Sequence, residues 1–361
     1  MVASTVISSD DNYQTQILQG VSRTFALTIP VLPPPLYRTV SNAYLLCRIA
    51  DTIEDDANLS FAAKREFSEL FLAGVRGAND GSQFGSSLSD VLAPHNSAAE
   101  RDLITNTARV LRITHSLNAT QRDALARCVQ VMLEGMVFYQ GQETLDGLAD
   151  QQAMDRYCYY VAGVVGEMLT ELFCEYSPSM RTRHAELMRL GVSFGQGLQM
   201  TNILKDIWED RARGACWLPR DGFLSAGIRL SNLAAGSGGT DFAAALRGLI
   251  GIAHGHLCNA LSYTLAIPKH EIGMRKFCLW ALGMAVLTLR KVDSNPWFTD
   301  GQQVKISRRS VKLTIATTSL AATHNSALRG LFHLASHGLP TSEIAALGPT
   351  LIAGHGAPRS L

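Results

Sequence analysis

Apolar residues recur at i, i+3, i+4 and i+7 through nearly every long segment of this chain, and the strict alternation of a half-buried strand is almost absent. That period commits the polypeptide to an all-α fold, because a 3.6-residue stripe is buried only by a helical backbone. The breaks fall where helix chemistry puts them. Pro30 and the run Pro33-Pro34-Pro35 stop a first helix and set up the next, expected from about Leu36 through Asp55. Gly77 to Asp90 reads as a surface loop. Helices are then expected over about Ala98–Ile113, Ala119–Gln140, Asp150–Phe173 and Arg181–Arg211, the last closed by Pro219. A second loop, Leu233 to Thr240, precedes helices from about Phe242 to Ala266, Glu271 to Val292 and Ser310 to Ser336.

At 361 residues, 47% hydrophobic, the chain can bury a large core, and no proline-rich or charged linker divides its middle. One domain over residues 13–337 is therefore expected, between a disordered N-terminus, 1–12, and a loosely held Gly/Pro/Ser/Ala-rich tail, 338–361. A net charge of +1 without a basic stripe gives no reason to expect nucleic acid. Cysteines at 47, 128, 158, 174, 216, 258 and 278 form no CxxC pair and leave an odd one over, which suits a reducing, cytoplasmic setting. Met1 to Asn12 lacks the charged and apolar regions of a signal peptide. The longest apolar run, Phe277 to Leu289, falls short of the roughly 20 residues that span a bilayer, so no transmembrane segment is expected.

Chemistry enters with two acidic clusters, Asp51-Thr52-Ile53-Glu54-Asp55 and Asp206-Ile207-Trp208-Glu209-Asp210. On a helix, positions i, i+3 and i+4 share a face, so each cluster sets three carboxylates side by side. One such cluster could be an ordinary solvated face. Two of them, in a chain with only 17% charged residues, directly follow apolar runs and carry nearby cations, Arg48 and Lys205. Asp51, Glu54, Asp55, Asp206, Glu209 and Asp210 are thus candidate ligands for Mg²⁺, or Mn²⁺ in its stead, and such an ion keeps positions for water and substrate phosphates. The chemistry implied is diphosphate handling. Gln199 and Asn202 lie at i−7 and i−4 from Asp206, on the same face.

Four stretches, in order, carry a family resemblance: Ser22-Arg23-Thr24-Phe25; Tyr44 through Asp56; Tyr157 through Gly166; and Gln199 through Asp210. They resemble the squalene/phytoene synthase family, and among its members the squalene synthases most, over roughly residues 15 to 335. The resemblance implies the all-helical class I isoprenoid synthase fold, two farnesyl diphosphates in a central cavity, and metal on both acidic faces. It assigns Asp51, Asp55, Asp206 and Asp210 to metal-assisted departure of diphosphate, and Ser22, Arg23, Thr24, Arg48, Lys205 and Arg213 to the phosphates. Ser22-Arg23-Thr24-Phe25 alone would equally suit a helix cap with a solvated arginine.

The allylic cation left behind needs dry, aromatic walls. Tyr157, Tyr160, Val161, Val164, Val165 and Leu169 share a helical stripe that alone would read as plain core. The resemblance gives Tyr157 a catalytic part, its hydroxyl assisting proton removal or orienting the departing diphosphate. Tyr160, Val161, Val165 and Gln199 are assigned to the substrate cavity, and the rings of Phe25, Tyr44 and Phe277 could stabilise cationic carbon by roughly 0.5–2 kcal/mol each.

The implied reaction joins two farnesyl diphosphates head to head into presqualene diphosphate, then reduces it with NADPH to squalene. A runner-up forms dehydrosqualene or phytoene without reductant. A catalytically dead helical protein and an Mg²⁺-dependent phosphohydrolase stand further off. No GxGxxG follows a strand, and Gly195-Gln196-Gly197 sits inside an expected helix, so it is no dinucleotide loop. The resemblance instead places the cofactor against Asn202 and a basic flap, Val304-Lys305-Ile306-Ser307-Arg308, with Lys305 and Arg308 as contacts. Ser307 departs from the basic residue common there, and a solvated loop is the alternative. The Asp51-to-Asp56 run and Lys305 lean towards the squalene branch. His254/His256 and His333/His337 have metal-like spacing without neighbouring acidic or thiolate ligands and are read as ordinary surface or core histidines. An isoprenoid substrate favours peripheral contact with membranes.

Overall fold

The computed structural model describes residues 8–22, 24–94, 96–140, 144–237, 239–342 and 344. Among them helix follows helix, and the one β pairing is an isolated bridge between Leu148 and Pro219. Two compact units are distinguished, Met1–Gly141 with Glu171–Tyr176 and Gln142–Thr170 with Ser177–Leu361.

The first unit holds α1 (Ser9–Val21), α2 (Phe25–Thr28), α3 (Pro34–Asp55), α4 (Phe61–Val75), α5 (Ser82–Val91), α6 (Ala98–Thr105), α7 (Thr107–Ser116) and α8 (Ala119–Gln140). Helix α3 starts with prolines in its first turn, where a missing N–H costs nothing. Its buried stripe, Leu45, Leu46, Ile49, Ala50 and Ile53, meets α8, while α1 and α7 pack on other parts of the same helix. Inside that contact Asn42 Nδ2 donates to Val110 O at 3.0 Å and Thr114 Oγ1 donates to Asn42 Oδ1 at 2.8 Å.

Three expectations change here. The N-terminal segment is helical from Ser9 rather than disordered to residue 12. Ser8 caps the helix by accepting from Asp11 N at 3.1 Å, and Asp10 and Asp11 are paired with Arg109, Arg112 and Arg38. Within the expected loop 77–90, α5 forms because Phe84 and Leu88, one turn apart, are buried, and Phe84 stacks on Phe71 at 5.2 Å. The expected helix Ala98–Ile113 is broken at Asn106, whose Nδ2 donates back to Asp102 O and Oδ1 in competition with the backbone ladder.

The second unit contains α9 (Gln151–Cys158), a π turn (Tyr159–Gly163), the first part of α10 (Val164–Tyr176), whose end from Glu171 belongs to the first unit, α11 (Pro178–Arg181), α12 (His184–Lys205), α13 (Ile207–Ala212), α14 (Arg220–Ser225), α15 (Gly239–Ala266), α16 (Ile272–Ser294), α17 (Arg308–Ala321) and α18 (Asn325–Ser336). Two expected helices are interrupted. In the π turn Val164 N donates to Tyr159 O, five residues back, adding a residue to the turn. Asp206, at φ −102° and ψ 20°, separates α12 from α13. The last expected helix is likewise two, parted at Ala322–His324.

Gly195-Gln196-Gly197 shows its purpose here: a Cβ on Gly195 would overlap the Ala162 carbonyl, and one on Gly166 the Gly191 carbonyl. Small residues therefore let α12 cross the π turn and the start of α10 at backbone contact. Helix α16 contains Phe277 to Leu289 and is long and apolar enough to cross a membrane, yet it is a core helix, with Leu279, Leu282, Val286, Leu289 and Val292 buried and α12, α15, α17 and α18 packed on it.

His254 and His256 are buried, whereas His333 and His337 are exposed. His256 Nδ1 bonds Ser193 Oγ at 2.8 Å, and burial pushes its pKa down to about 4. His254 Nδ1 bonds Pro340 O at 2.8 Å and Thr341 Oγ1 at 2.9 Å. The start of the expected loose tail is thus pinned. Ser342 N donates to Gly251 O, and Asn259 Nδ2 to Ile344 O. The remainder of the tail lies outside the described residues.

Candidate functional site

The first acidic face closes α3. Asp51 and Glu54 are half-buried and Asp55 exposed. Arg48 pairs with Asp51 at 3.6 Å and with Glu100, which lies 52 residues away. Glu100 is itself fixed as the capping-box residue of α6, accepting from Ser97 N at 2.8 Å. Burial pushes Asp51 up to about 7, with Arg48 opposing and Asp55 adding to the rise. The Glu54 carbonyl, among the unpaired acceptors at a helix end, takes donors from Lys64 Nζ and Gln140 Nε2.

Asp56 belongs to the same run but not to the same face. It is fully buried and accepts from Asn58 N at 2.9 Å, Ala93 N at 2.8 Å and Asn96 Nδ2 at 2.6 Å. Its work is to turn the chain out of α3.

One turn before Arg48, Tyr44 OH donates to Val21 O at 3.2 Å, and its ring lies 5.2 Å from Phe25. Ser22 Oγ accepts from Phe25 N at 2.9 Å, capping α2, and retains its own proton to donate. Ser22, Phe25, Tyr44, Arg48 and Asp51 are thus gathered along one side of α3. Thr24 is exposed beside them, and Arg23 lies outside the described residues.

In the second unit the acidic face spans the break at Asp206. Gln199 is half-buried and Asn202 exposed on the final turns of α12. Lys205 Nζ stands 2.7 Å from Asp206 Oδ2. Asp210 is buried against Arg213, whose side chain is 66% exposed. Burial pushes Asp210 up to about 6, Arg213 opposing while Asp206 and Glu209 add to the rise. Glu209 Oε1 accepts from Gly301 N at 2.8 Å. Next to it, Trp208 Nε1 donates to Phe298 O.

The chain from Gly301 leads straight into the basic segment. Gly301–Val304 is a 3₁₀ turn capped by Asp300. Lys305 is exposed, its Nζ donating to Gln302 Oε1 at 3.2 Å, and Arg308 is exposed as the first residue of α17. Ser307 explains its departure from a basic residue: its Oγ accepts from Ser310 N at 3.0 Å and caps α17.

Tyr157 is buried and stacks on Trp217, with centroids 4.1 Å apart and planes 5° from parallel. Trp217 was not foreseen, since it sits in an irregular segment after α13. Tyr160, Val161 and Val165 are half-buried around the π turn, and Phe277 is buried in α16. Glu100 and Gly301 were also missed, although Ser97-x-x-Glu100 is a legible capping box; what the sequence does not reveal is that its carboxylate also holds Arg48.

The donor set suits a hard dication. Two carboxylates with raised pKa values, each among like charges, are poorly neutralised by the protein and gain from a cation. Among the described residues no three His, Cys, Asp or Glu side chains are gathered into a ready cage. Mg²⁺ does not need one, because it is commonly held through one or two carboxylates and completes its shell with water and substrate phosphates.

Comparison with known proteins adds a lineage. The squalene/phytoene synthase family model matches residues 18–310. The squalene synthase of Eremothecium gossypii is 28% identical over 328 residues, 89% of this chain and 69% of that protein. That of Saccharomyces cerevisiae is 28% identical over 321 residues, 87% and 67% of the two chains, and one from Candida albicans is 30% identical over 289 residues, 78% and 61%. The chain thus spans about two thirds of the length of these relatives. Among solved structures, a TcSQS complex with the ligand BPH1237 has a TM-score of 0.71 at 23% identity, covering 94% of each chain. A dehydrosqualene synthase complex has a TM-score of 0.63 at 21% identity, covering 85% of this chain and 94% of that one. The shared architecture is the helical isoprenoid synthase fold.

Proposed function

From the premise that the chain belongs to the squalene/phytoene synthase family, we propose that it is a farnesyl-diphosphate farnesyltransferase of the squalene synthase type. The observation that carries this reading is the family match across residues 18–310 together with two acidic helix ends, each bearing a raised carboxylate and an adjacent cation. The substrate is farnesyl diphosphate, two molecules of which give presqualene diphosphate with loss of one diphosphate and one proton. Loss of the second diphosphate, with hydride from NADPH, gives squalene.

Both acidic helix ends serve this reaction. Asp51, Glu54 and Asp55, with Asp206, Glu209 and Asp210, would hold Mg²⁺, which supplies charge neutralisation for the departing diphosphate. Arg48, Lys205 and Arg213, with Ser22, Arg23 and Thr24, donate to phosphate oxygens. Tyr157 contributes its hydroxyl, its ring held flat on Trp217. Tyr160, Val161, Val165, Phe25, Tyr44, Gln199 and Phe277 contact the prenyl chains and exclude water. Lys305 and Arg308, with Asn202, contact the NADPH phosphates.

Peripheral membrane contact belongs to the same reading. From residue 301 to 342 the sequence has no Asp or Glu but carries Lys305, Arg308, Arg309, Lys312 and Arg329. Leu313, Leu320 and Leu334 on α17 and α18 are 62%, 84% and 70% exposed. A basic surface with projecting leucines favours anionic lipid.

Product analysis with farnesyl diphosphate and Mg²⁺, with and without NADPH, tests the proposal. Presqualene diphosphate without NADPH and squalene with it are expected. A desaturated product unchanged by NADPH would replace this reading with a dehydrosqualene or phytoene synthase.

A further inference from the structure

On the second acidic face Glu209 is tied to Gly301, 92 residues further along the chain. Gly301 is buried, and its N–H points at Glu209 Oε1 from 2.8 Å. A Cβ there would stand 2.8 Å from Glu209 Oε1, 3.1 Å from the Lys205 carbonyl and 3.2 Å from Asp206 Oδ1. Backbone conformation does not require a glycine at this position, because Gly301 is absent from the glycines with positive φ. What requires it is room: the missing side chain lets the backbone rest on three consecutive features of the acidic face. The other oxygen, Glu209 Oε2, is buried with no hydrogen-bond partner among the described residues.

A second tie lies beside the first. Trp208 Nε1 donates to Phe298 O, and both Phe298 and Val304, on either side of Gly301, are fully buried. Helix α13 therefore grips the segment 298–304 at two neighbouring residues. Directly beyond this grip the side chains of Lys305, Ser307 and Arg308 are exposed.

We propose that Gly301 is a positioning residue that couples the second acidic face to the basic segment 302–308, so that a divalent cation with diphosphate on that face orders the segment, and the ordered segment in turn strengthens cation binding. This rests on the proposed function for the identity of the ion and deepens it. Glu209 Oε1, held by the Gly301 N–H, fixes the direction of Oε2. Glu209, were it to hold a cation, would draw through its Gly301 N–H contact on the chain leading to Lys305. Linkage makes the effect reciprocal. The arrangement would favour the placement of Lys305 and Arg308 for the cofactor when diphosphate is aboard.

Amide hydrogen exchange on the full chain, with Mg²⁺ and inorganic pyrophosphate as the probe, tests the coupling. In the wild type, exchange should slow both in 206–212 and in 302–308. In Gly301→Ala the protection of 302–308 should be lost, and the Mg²⁺ concentration giving half-protection of 206–212 should rise about tenfold.

If pyrophosphate and Mg²⁺ leave 206–212 unprotected in the wild type, the metal reading fails and the coupling with it. If 206–212 is protected but 302–308 is not, or if Gly301→Ala behaves as wild type, the metal reading stands and the coupling is overturned. Should Gly301→Ala fold poorly, the wild-type comparison of the two peptides still decides the matter.

Discussion

The two acidic helix ends share a sequence pattern and differ in mechanics. At the end of α3 the carboxylates lie on an unbroken helix whose exit is clamped by Asp56 and whose cation, Arg48, is held between Asp51 and Glu100. Around Asp206 the helix is interrupted, the cation Arg213 is largely exposed, and Glu209 is tied to a distant segment. On the coupling proposed above, the first is a fixed wall and the second a joint, so equal spacing of charges in sequence says where metal chemistry is expected but not which side moves.

The largest effects should fall on both ends alike. Asp51→Asn, Asp55→Asn, Asp206→Asn and Asp210→Asn are each expected to cut turnover roughly 100-fold or more with unchanged helical circular dichroism. Full activity in either the Asp51 or the Asp206 variant would break the pairing. Asp56→Ala, in contrast, should act on stability, because it strands two buried donors, Ala93 N and Asn96 Nδ2; a loss of about 2–4 kcal/mol in denaturant unfolding is expected.

Next comes Tyr157→Phe, which keeps the stack on Trp217 and removes only the hydroxyl. Presqualene diphosphate formation should drop while a non-reactive farnesyl diphosphate analogue still binds, and a rate above roughly a third of wild type would return Tyr157 to simple packing.

Lys305→Ala probes the joint side alone. The first half-reaction should be nearly intact, whereas the NADPH requirement should rise about ten- to a hundredfold, the equivalent of about 1.5–3 kcal/mol for one charge-assisted contact.

The smallest effect is a matter of pH. Asp210 has a folded pKa of about 6 against 3.8 for the free group, so ionising it penalises the metal-free fold. That penalty is complete above about pH 6, shrinks as the pH falls through 6, and vanishes below 3.8. Asp210→Asn should therefore stabilise metal-free protein by about 1–3 kcal/mol at pH 8 and by less at pH 5, as thermal unfolding would show. In the wild type, apparent Mg²⁺ affinity should weaken as the pH drops through about 7, where Asp51 takes up its proton, and again near 6 for Asp210.

Much of this was legible in the chain, for reasons that also mark its limits. Helix type follows from the apolar period, so α3, α8, α15 and α16 were anticipated nearly to their ends. Local hydrogen bonding that competes with the helix was not: the breaks at Asn106 and Asp206 depend on side chains and backbone angles that leave the apolar stripe intact. Helix α5 hid behind its serines and glycines, with only Phe84 and Leu88 to betray it. The six carboxylates proposed as metal ligands stood out by spacing, whereas Glu100, Trp217 and Gly301 reach their partners only through the fold. Ser307 looked like a defect in the basic segment and is a cap.

The π turn at Tyr159–Gly163 makes this stretch unusually tolerant of chain length. Five residues spread over a π turn cover about the same rotation as four in an α-helix, so one residue fewer would let the segment relax to an ordinary helix with both flanks nearly in register. Tyr157 would keep its stack on Trp217 and Val164 its place in the core, while the turn itself, Tyr160 and Val161 included, would be redrawn. Insertions and deletions, rather than substitutions, are therefore the changes by which descendants of this sequence could exchange one cavity lining for another in a single step.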